Sequence, residues 1–181
     1  MPTLGDLHLA VFPTAVRLAP PGTAPLASPV AWVRVMKART PAFDALERGD
    51  LAVVPEAALD LLAGELEAPD ALAAVVRAAG ACAILLVGPG GEKVGAAAQA
   101  VAREAAATGL VVLRLPAGDV EPLERAVIGY LVNARAELDR QAGALEADLE
   151  RLALASAGPD AFAAAVATFV GRAVALEGAA G

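Results

Sequence analysis

The sequence is poor in the residues that build most catalytic and metal sites. It contains one cysteine, Cys82, and one histidine, His8, among 181 residues. A single cysteine forms neither an internal disulfide nor a cysteine-based zinc site, and a lone histidine without a recognisable carboxylate partner argues against a catalytic triad or a histidine metal site. Cys82 opens an apolar run, where an inert core residue is expected. We therefore expect no cofactor, no metal and no enzymatic activity.

Positive charge and long apolar stretches are also scarce. The chain carries 14 Lys and Arg against 21 Asp and Glu, a net charge of −7. Binding to nucleic acid or to an anionic membrane would require a basic face, which this balance does not favour. No window of about 18 residues is both apolar and free of charge, and the first residues lack the basic start of a signal peptide. The sequence predicts a cytoplasmic protein that contacts neither membrane nor DNA directly.

What the sequence does contain is a set of short apolar runs separated by glycine. One run covers 82–87, a Gly-Pro-Gly-Gly loop follows at 88–91, an alanine-rich segment fills 94–108, and a second run covers 110–115. Short apolar runs bounded by turn residues are typical of buried strands. Together these segments form a βαβ unit with a right-handed crossover. They predict an α/β fold with a central mixed or parallel sheet flanked by helices.

Further elements extend this pattern toward both ends of the chain. Helices are predicted at 1–10, 41–47, 55–63, 69–79 and 160–170, with a connection at 65–68; strands are predicted at 14–18, 30–35, 51–54 and 173–176. Thr3 is expected to cap the first helix, with Asp6 three positions later as in an imperfect capping box. Thr40 and Pro41 would start the second. The proline-rich segment 19–29 excludes regular structure.

A long helix is predicted from Glu121 to Ala155. Its apolar residues recur at heptad spacing in an a series, broken once by Arg135, and a d series. At 1.5 Å per residue such a helix is about 50 Å long and needs a partner, and the simplest partner is its own copy in a parallel homodimer. The heptad spacing alone suits both directions, so an antiparallel pair stays open. The predicted dimer interface consists of Ile128, Leu131, Leu138, Ala142, Leu145, Leu149 and Leu152.

Two groups of residues are candidates for binding a small molecule. A phosphate could bind the glycine loop between strand and helix, although the loop lacks the Lys-Ser/Thr ending of a P-loop and the spacing of a dinucleotide fingerprint. The second group lies at predicted strand ends, which form ligand crevices in open α/β sheets. A tight turn and ordinary surface charges are the respective alternatives. The candidate ligand-binding residues are Arg34, Lys37, Gly49, Asp50, Gly88, Gly90 and Gly91.

Three regions are expected: an α/β domain over 1–118, the long helix over 119–157, and a final segment over 158–181. The last segment offers one helix and one strand, too little to bury a core. We therefore expect it to be the start of a truncated second domain or to be completed by a partner subunit.

Several segments taken together resemble a known family. They are Thr3-Leu4-Gly5-Asp6-Leu7, Pro29 to Val35, Phe43 with Leu46 to Val53, Gly80 to Leu86, and Gly109 to Pro116. In this order they resemble the N-terminal sensory domain of the PucR (purine catabolism regulator) family of bacterial transcription factors. In that family the domain leads through a long helix into a GAF-like domain and a C-terminal helix-turn-helix, and residues 160–176 are similar to the opening of the GAF-like domain.

The resemblance implies a ligand-sensing and dimerising region with a small-molecule effector, whose DNA binding belongs to a C-terminal domain absent here. Two departures from the family pattern concern Pro55-Glu56, where a Thr-Thr-Gly-type turn is usual, and the proline-rich segment 19–29, where a glycine-containing hairpin is usual. The alternatives are a nucleotide- or phosphate-binding enzyme that uses the 88–91 loop, and a dimerisation scaffold without a ligand.

Overall fold

The computed structural model describes residues 1–21, 26–37, 39, 42–62, 69–91 and 93–175. The chain divides into two compact units, Met1–Val132 and Asn133–Gly181. The division falls inside the long helix and not at 118, because the first turns of that helix contribute buried side chains to the core of the first unit.

The first unit is an α/β fold, as predicted. Its strands are β1 (Val16–Ala19), β2 (Val33–Val35), β3 (Leu51–Pro55), β4 (Ala83–Val87) and β5 (Val111–Leu115), and its helices are α1 (Leu4–Ala10), α2 (Glu56–Leu62), α3 (Pro69–Ala78), α4 (Ala96–Thr108) and the start of α5 (Val120–Leu154). The sheet order is β1-β5-β4-β3-β2. Strands β2 to β5 run parallel, and β1 is antiparallel to β5. The sheet is therefore mixed.

The strand order decides which helices cover which face. Because β2, β3, β4 and β5 are neighbours in chain order and right-handed crossovers all return on the same side, α2, α3 and α4 share one face. Their buried side chains include Leu59, Leu72, Val76 and Val101. The other face is covered by α1 and by the first turns of α5. The buried residues of these two helices are Leu4, Leu7, Leu123, Val127 and Leu131.

Helix α1 begins at Leu4 and not at Met1, because Thr3 caps it. The Asp6 N–H donates to Thr3 Oγ1 at 3.2 Å and the Thr3 N–H donates to Asp6 Oδ2 at 2.8 Å. This is a complete capping box, so the predicted capping pair is confirmed. The hydrogen bond from the Thr3 backbone lowers the pKa of Asp6 below its usual value.

The predicted helix at 41–47 is wrong for its described residues, 42–47, which are bends and irregular chain. Polar groups of this segment bond in ways that a helix would not allow: the Ala42 carbonyl accepts the Lys37 N–H at 2.7 Å, and the Asp50 side chain accepts the Glu47 N–H at 3.0 Å. Side chains that bind nearby backbone compete with helix formation. Residues 40 and 41 lie outside the described residues.

The predicted strand at 173–176 is also wrong for residues 173–175, which are not in a strand. A strand needs a neighbour for its backbone groups, and the five strands of the described sheet leave this segment without one. Position 176 lies outside the described residues, as do the connection at 65–68 and residues 22–25 of the proline-rich segment. The predicted strand at 30–35 is shorter, since it covers only Val33–Val35.

Helix α5 is the longest element, with 35 residues. It ends in a Schellman motif, in which the Ala157 N–H donates to the Leu152 carbonyl and the Ser156 N–H to the Ala153 carbonyl, both at 3.0 Å. Ser156 holds the left-handed position of this motif with a φ of 53°. The last helix, α6 (Pro159–Val170), follows at once. No described helix is long and apolar enough to cross a membrane.

Candidate functional site

The candidate ligand-binding residues do not lie together. Gly49 and Asp50 immediately precede β3, at the amino edge of the parallel strands, whereas the 88–91 loop follows β4 at the carboxyl edge. Lys37 follows β2 at that carboxyl edge as well. The two predicted groups therefore do not form one site. The sequence could not show this, because the edge to which a residue belongs depends on where each strand begins.

A ligand crevice of the kind expected at strand ends also requires a reversal of strand order. In open α/β sheets the crevice opens where successive crossovers leave in opposite directions. Here the parallel strands follow one another from β2 to β5 without reversal. The described sheet thus lacks the topological feature on which the predicted strand-end crevice was based.

Asp50 serves as an anchor of the turn before β3. Asp50 is 2% exposed, and its Oδ2 accepts hydrogen bonds from Arg34 Nε at 3.2 Å and from the Glu47 N–H at 3.0 Å. Gly49 has a φ of 85° and donates its N–H to the Gly80 carbonyl at 2.9 Å. A left-handed φ favours glycine at this position. These contacts give Arg34, Gly49 and Asp50 a structural role: Gly49 and Asp50 form the turn before β3, and Arg34 of β2 binds it.

Lys37 belongs to a different, exposed ion cluster. Lys37 and Arg39 both pair with Asp44, and the Arg39 Nη2 to Asp44 Oδ1 distance is 2.8 Å. The hydrogen bond from Lys37 is the main cause of a lowered pKa at Asp44. Arg34 and Lys37 therefore contact different carboxylates, and the predicted basic cluster is divided between two turns.

Two of the N–H groups of the glycine loop, those of Gly88 and Gly90, are used within the fold. Gly88 donates to the Leu115 carbonyl at 2.9 Å and Gly90 to the Pro116 carbonyl at 3.1 Å, while Pro89 has no N–H. An added Cβ at Gly88 would lie 2.7 Å from the Pro116 oxygen, so this glycine is required by close packing. A phosphate would have to compete with these bonds. The geometry favours the tight-turn alternative.

The carboxyl edge holds a buried ion pair that sequence reasoning missed. Arg114 of β5 is 1% exposed and Glu56, at the start of α2, is 6% exposed. Arg114 Nε donates to Glu56 Oε1 at 2.6 Å and Nη2 to Oε2 at 3.3 Å, a two-point contact. The same guanidinium donates to the carbonyls of Gly91 at 3.1 Å and Lys93 at 2.9 Å. Arg114 thus holds the turn after β3 and the loop after β4 together.

A signal for this pair was present in the sequence. Arg114 interrupts the apolar run of a buried strand, and a charge in such a position requires a partner. The partner is 58 positions away, so no local pattern identifies it. Every buried side-chain nitrogen or oxygen in the described part of the chain has a hydrogen-bond partner, and no cluster there could hold a metal ion. The pair is therefore a satisfied brace and does not present a free charge to a ligand.

The predicted dimer interface also divides in two. Leu131 is 5% exposed and lies in the core of the first unit, with Ile128 packed against that core. Leu138 is 39% exposed. Further along α5, Ala142 is exposed, whereas Leu145, Leu149 and Leu152 are half-buried. The first two positions are thus used within their own chain, and the remaining five form what we call the free stripe of α5: Leu138, Ala142, Leu145, Leu149 and Leu152.

Ion pairs within the helix occupy the rest of this part of α5. Arg135 Nε lies 3.3 Å from Asp139 Oδ1, Arg151 Nη2 lies 2.9 Å from Asp148 Oδ1, and Arg140 pairs with Glu137. All three pairs are exposed, and exposed ion pairs contribute little to stability. Hydrogen bonds from Arg140 and Gln141 lower the pKa of Glu137. These ion pairs form within α5 and involve none of the residues of its free stripe.

Comparisons with known proteins give no further guide to the function. No protein-family model matches the chain, and no curated protein or solved structure matches it significantly.

Proposed function

We propose that this chain is the sensing and dimerising part of a bacterial transcriptional regulator of the PucR type. The observation that carries the proposal is the double character of α5. Its first turns bury Leu123, Val127 and Leu131 in the α/β unit, and its later turns carry a heptad stripe that the described chain does not bury. A helix that belongs to a sensing core at one end and to a dimer contact at the other is suited to relay a signal.

In this proposal a small molecule binds the α/β unit and favours one packing of α5 over another. The ligand shifts the equilibrium only if its affinity differs between the two packings. The relay acts through Leu123, Val127 and Leu131, because a change in the core that these residues enter changes the position or the stability of the helix. Reading of DNA then belongs to another part of the regulator, in keeping with the net charge of −7.

The dimer is tested by placing charge in the free stripe. Replacing Leu138 and Leu145 with Asp puts four carboxylates into the contact of two copies, and buried unpaired charge is strongly unfavourable. We expect wild-type dimers and variant monomers, measured by light scattering during size-exclusion chromatography. The matched control replaces the exposed Ala136 and Ala147 with Asp, which adds the same charge to the opposite side of the helix. A variant that stays dimeric, or a control that also dissociates, contradicts the proposed contact.

Sensing is tested by a thermal-shift screen with purines, ureides, amino acids and nucleotides. A ligand that binds only the folded state stabilises it by about 2.7 kcal/mol at a hundredfold excess over its Kd. We expect stabilisation by a small metabolite, and a lower apparent affinity for it in the Leu131→Ala variant if the α5 packing is coupled to binding. Stabilisation by nucleotides alone would favour the glycine-loop enzyme instead. No stabilisation by any compound would leave a dimerisation scaffold as the better description.

A further inference from the structure

The described part of the chain after Leu131 consists mainly of two helices, the rest of α5 and α6. None of the described residues of α5 beyond Leu131 is buried, and none of α6 is. The apolar side chains there include Leu138 at 39% and Leu154 at 89% exposure. Most helix stability in proteins comes from the packing of an apolar face. The free stripe therefore requires a partner.

We infer that the partner is a second copy of this chain and that the two α5 helices run antiparallel across the free stripe. This inference rests on the dimerisation proposed above and adds the direction and the register of the pair. The argument comes from which side chains each direction would bring face to face in a two-fold pair, in which residue i contacts j and j contacts i.

A parallel pair in register would place every stripe residue against its own copy. Arg135, which interrupts the a series, would then face the partner's Arg135. Two guanidinium groups would meet at a contact from which water is largely excluded, and like charges there are costly. Ala142 would face the partner's Ala142, so the smallest side chains would meet in the middle and leave the layer poorly filled.

An antiparallel pair removes both defects with a single register. Ala142 then faces the partner's Leu145, and Leu138 faces the partner's Leu149. Arg135 faces the partner's Leu152 at the end of the contact, where its aliphatic stem can cover the leucine while the guanidinium stays in water. Each of these layers contains a leucine, and a small residue always meets a large one.

The charges on the flanks are compatible with this register, at one cost. Arg135 comes within a helical turn of the partner's Asp148, an opposite charge. Asp139 and the partner's Glu146 lie on the same flank and repel each other. Exposed pairs of this kind contribute at most about 1 kcal/mol and are screened by salt, so the match of side-chain sizes and the separation of the two arginines decide the direction.

Disulfide trapping distinguishes the two directions. Two chains are made in a Cys82→Ala background, one with Arg135→Cys and one with Leu152→Cys, and they differ in mass through a tag on one of them. In the antiparallel register the new cysteines face each other between unlike chains, whereas two copies of position 152 lie about 25 Å apart along the helix. A disulfide needs a Cα separation of roughly 4.4–6.8 Å. We expect mild oxidation to cross-link only the mixture, as a heterodimer.

The matched control pairs Arg140→Cys with Ala147→Cys, two exposed positions at the same level of the proposed pair but on its outer side. This mixture is expected to give no heterodimer. Circular dichroism checks that all variants keep their helix content, and these exposed or half-buried sites put little of the fold at risk.

The other outcomes are distinct. Cross-linking of either single-cysteine chain with itself would overturn the antiparallel direction and establish a parallel pair. A protein that is dimeric by light scattering but cross-links in no combination would overturn this register while leaving the proposed dimerisation intact. A wild-type chain that is monomeric at all concentrations would remove the dimer of the proposed function, and the antiparallel pair with it.

Discussion

Leu131 and Leu138 hold the same heptad position one repeat apart on the same helix, and their surroundings are opposite. Leu131 is 5% exposed in the core of the α/β unit, and Leu138 is 39% exposed. The same spacing of leucines thus packs within the chain at one end of α5, whereas at the other end it leaves leucines exposed or half-buried. A heptad pattern indicates that a helix face will be buried, and it does not say by what.

The difference between the two regions is expected to be largest in thiol chemistry. Burial raises the pKa of the Cys82 thiol to about 12, against 9.0 for an ordinary thiol. The reactive thiolate is therefore rarer in the folded unit, and we expect alkylation at pH 8 to be slowed at least about a hundredfold. A cysteine placed at Ala147, on the exposed side of α5, should react at the rate of a free thiol. Equal rates at the two positions would mean that Cys82 is not protected.

The same shift gives a pH dependence of stability. The folded thiol keeps its proton to about pH 12, while the unfolded thiol loses it near pH 9.0. Loss of the thiol proton therefore stabilises the unfolded state relative to the folded state as the pH rises above 9. The free energy of unfolding of the wild type should decrease from pH 9 to about pH 12. Chemical denaturation at several alkaline pH values measures this fall. In a Cys82→Ala variant, the decrease in the free energy of unfolding that arises from ionisation of this thiol should be absent.

Arginine pairs offer the second comparison. Arg114→Ala leaves Glu56 buried without a cation and leaves the Gly91 and Lys93 carbonyls without their donor. We expect the free energy of unfolding of the α/β unit to fall by about 3–5 kcal/mol. Arg135→Ala removes an exposed pair and should cost less than about 1 kcal/mol. Urea denaturation measures both, and similar costs for the two variants would contradict the buried brace.

Removal of charge from both partners separates the loss of the pair from the isolation of one charge. In a Glu56→Gln, Arg114→Met variant no uncompensated charge is buried. We therefore expect it to recover part of the stability that Arg114→Ala loses. A double variant that is less stable than Arg114→Ala would show that the bonds from Arg114 to the loop carbonyls outweigh the desolvation of the pair.

Leucine truncation tests the two ends of α5 directly. Leu131→Ala opens a cavity in the core of the α/β unit and should cost about 2–5 kcal/mol of unfolding free energy. Leu138→Ala should change that value little and should instead weaken the dimer, which the concentration dependence of light scattering measures. If Leu138→Ala destabilises the α/β unit as much as Leu131→Ala does, the proposed division of α5 is wrong.

The smallest effect is expected at the end of α5. Ser156 adopts a φ of 53°, which glycine accepts without strain. Ser156→Gly should stabilise the helix end by about 1 kcal/mol, visible as a higher melting temperature of helical circular dichroism. Ala155→Gly, one position earlier and without a left-handed φ, is the control and should not stabilise it.

The elements that the sequence predicted well are those with clear local signals. The helix in 94–108 and the strand in 110–115 are bounded by glycine and proline, and α5 has a long heptad pattern, so each lies within a few residues of its expected limits. The predicted helix is absent from 42–47 because backbone groups of this segment form hydrogen bonds with residues outside it. The Ala42 carbonyl accepts the Lys37 N–H, and the Glu47 N–H donates to the Asp50 side chain.

The candidate site was harder to predict for a different reason. Asp50 and the glycine loop both stand next to apolar runs in the sequence, and only the strand directions place them at opposite edges of the sheet. The pairing of Glu56 with Arg114 depends on β3 and β5 lying on either side of β4, which no local signal shows. Long-range order of the strands is what the residues alone did not reveal.

The two faces of the sheet also close at different stages of synthesis. The face under α2, α3 and α4 needs only residues up to β5, whereas the opposite face has α1 but lacks Leu123, Val127 and Leu131 until α5 has been made. A nascent chain that ends at β5 therefore has an incomplete apolar cluster on the face that includes Val53, Leu85 and Leu113. Exposed apolar surface of this kind promotes aggregation. Translation of the first turns of α5 is therefore the step that completes the apolar cluster on that face and lowers the tendency of the growing chain to aggregate through it.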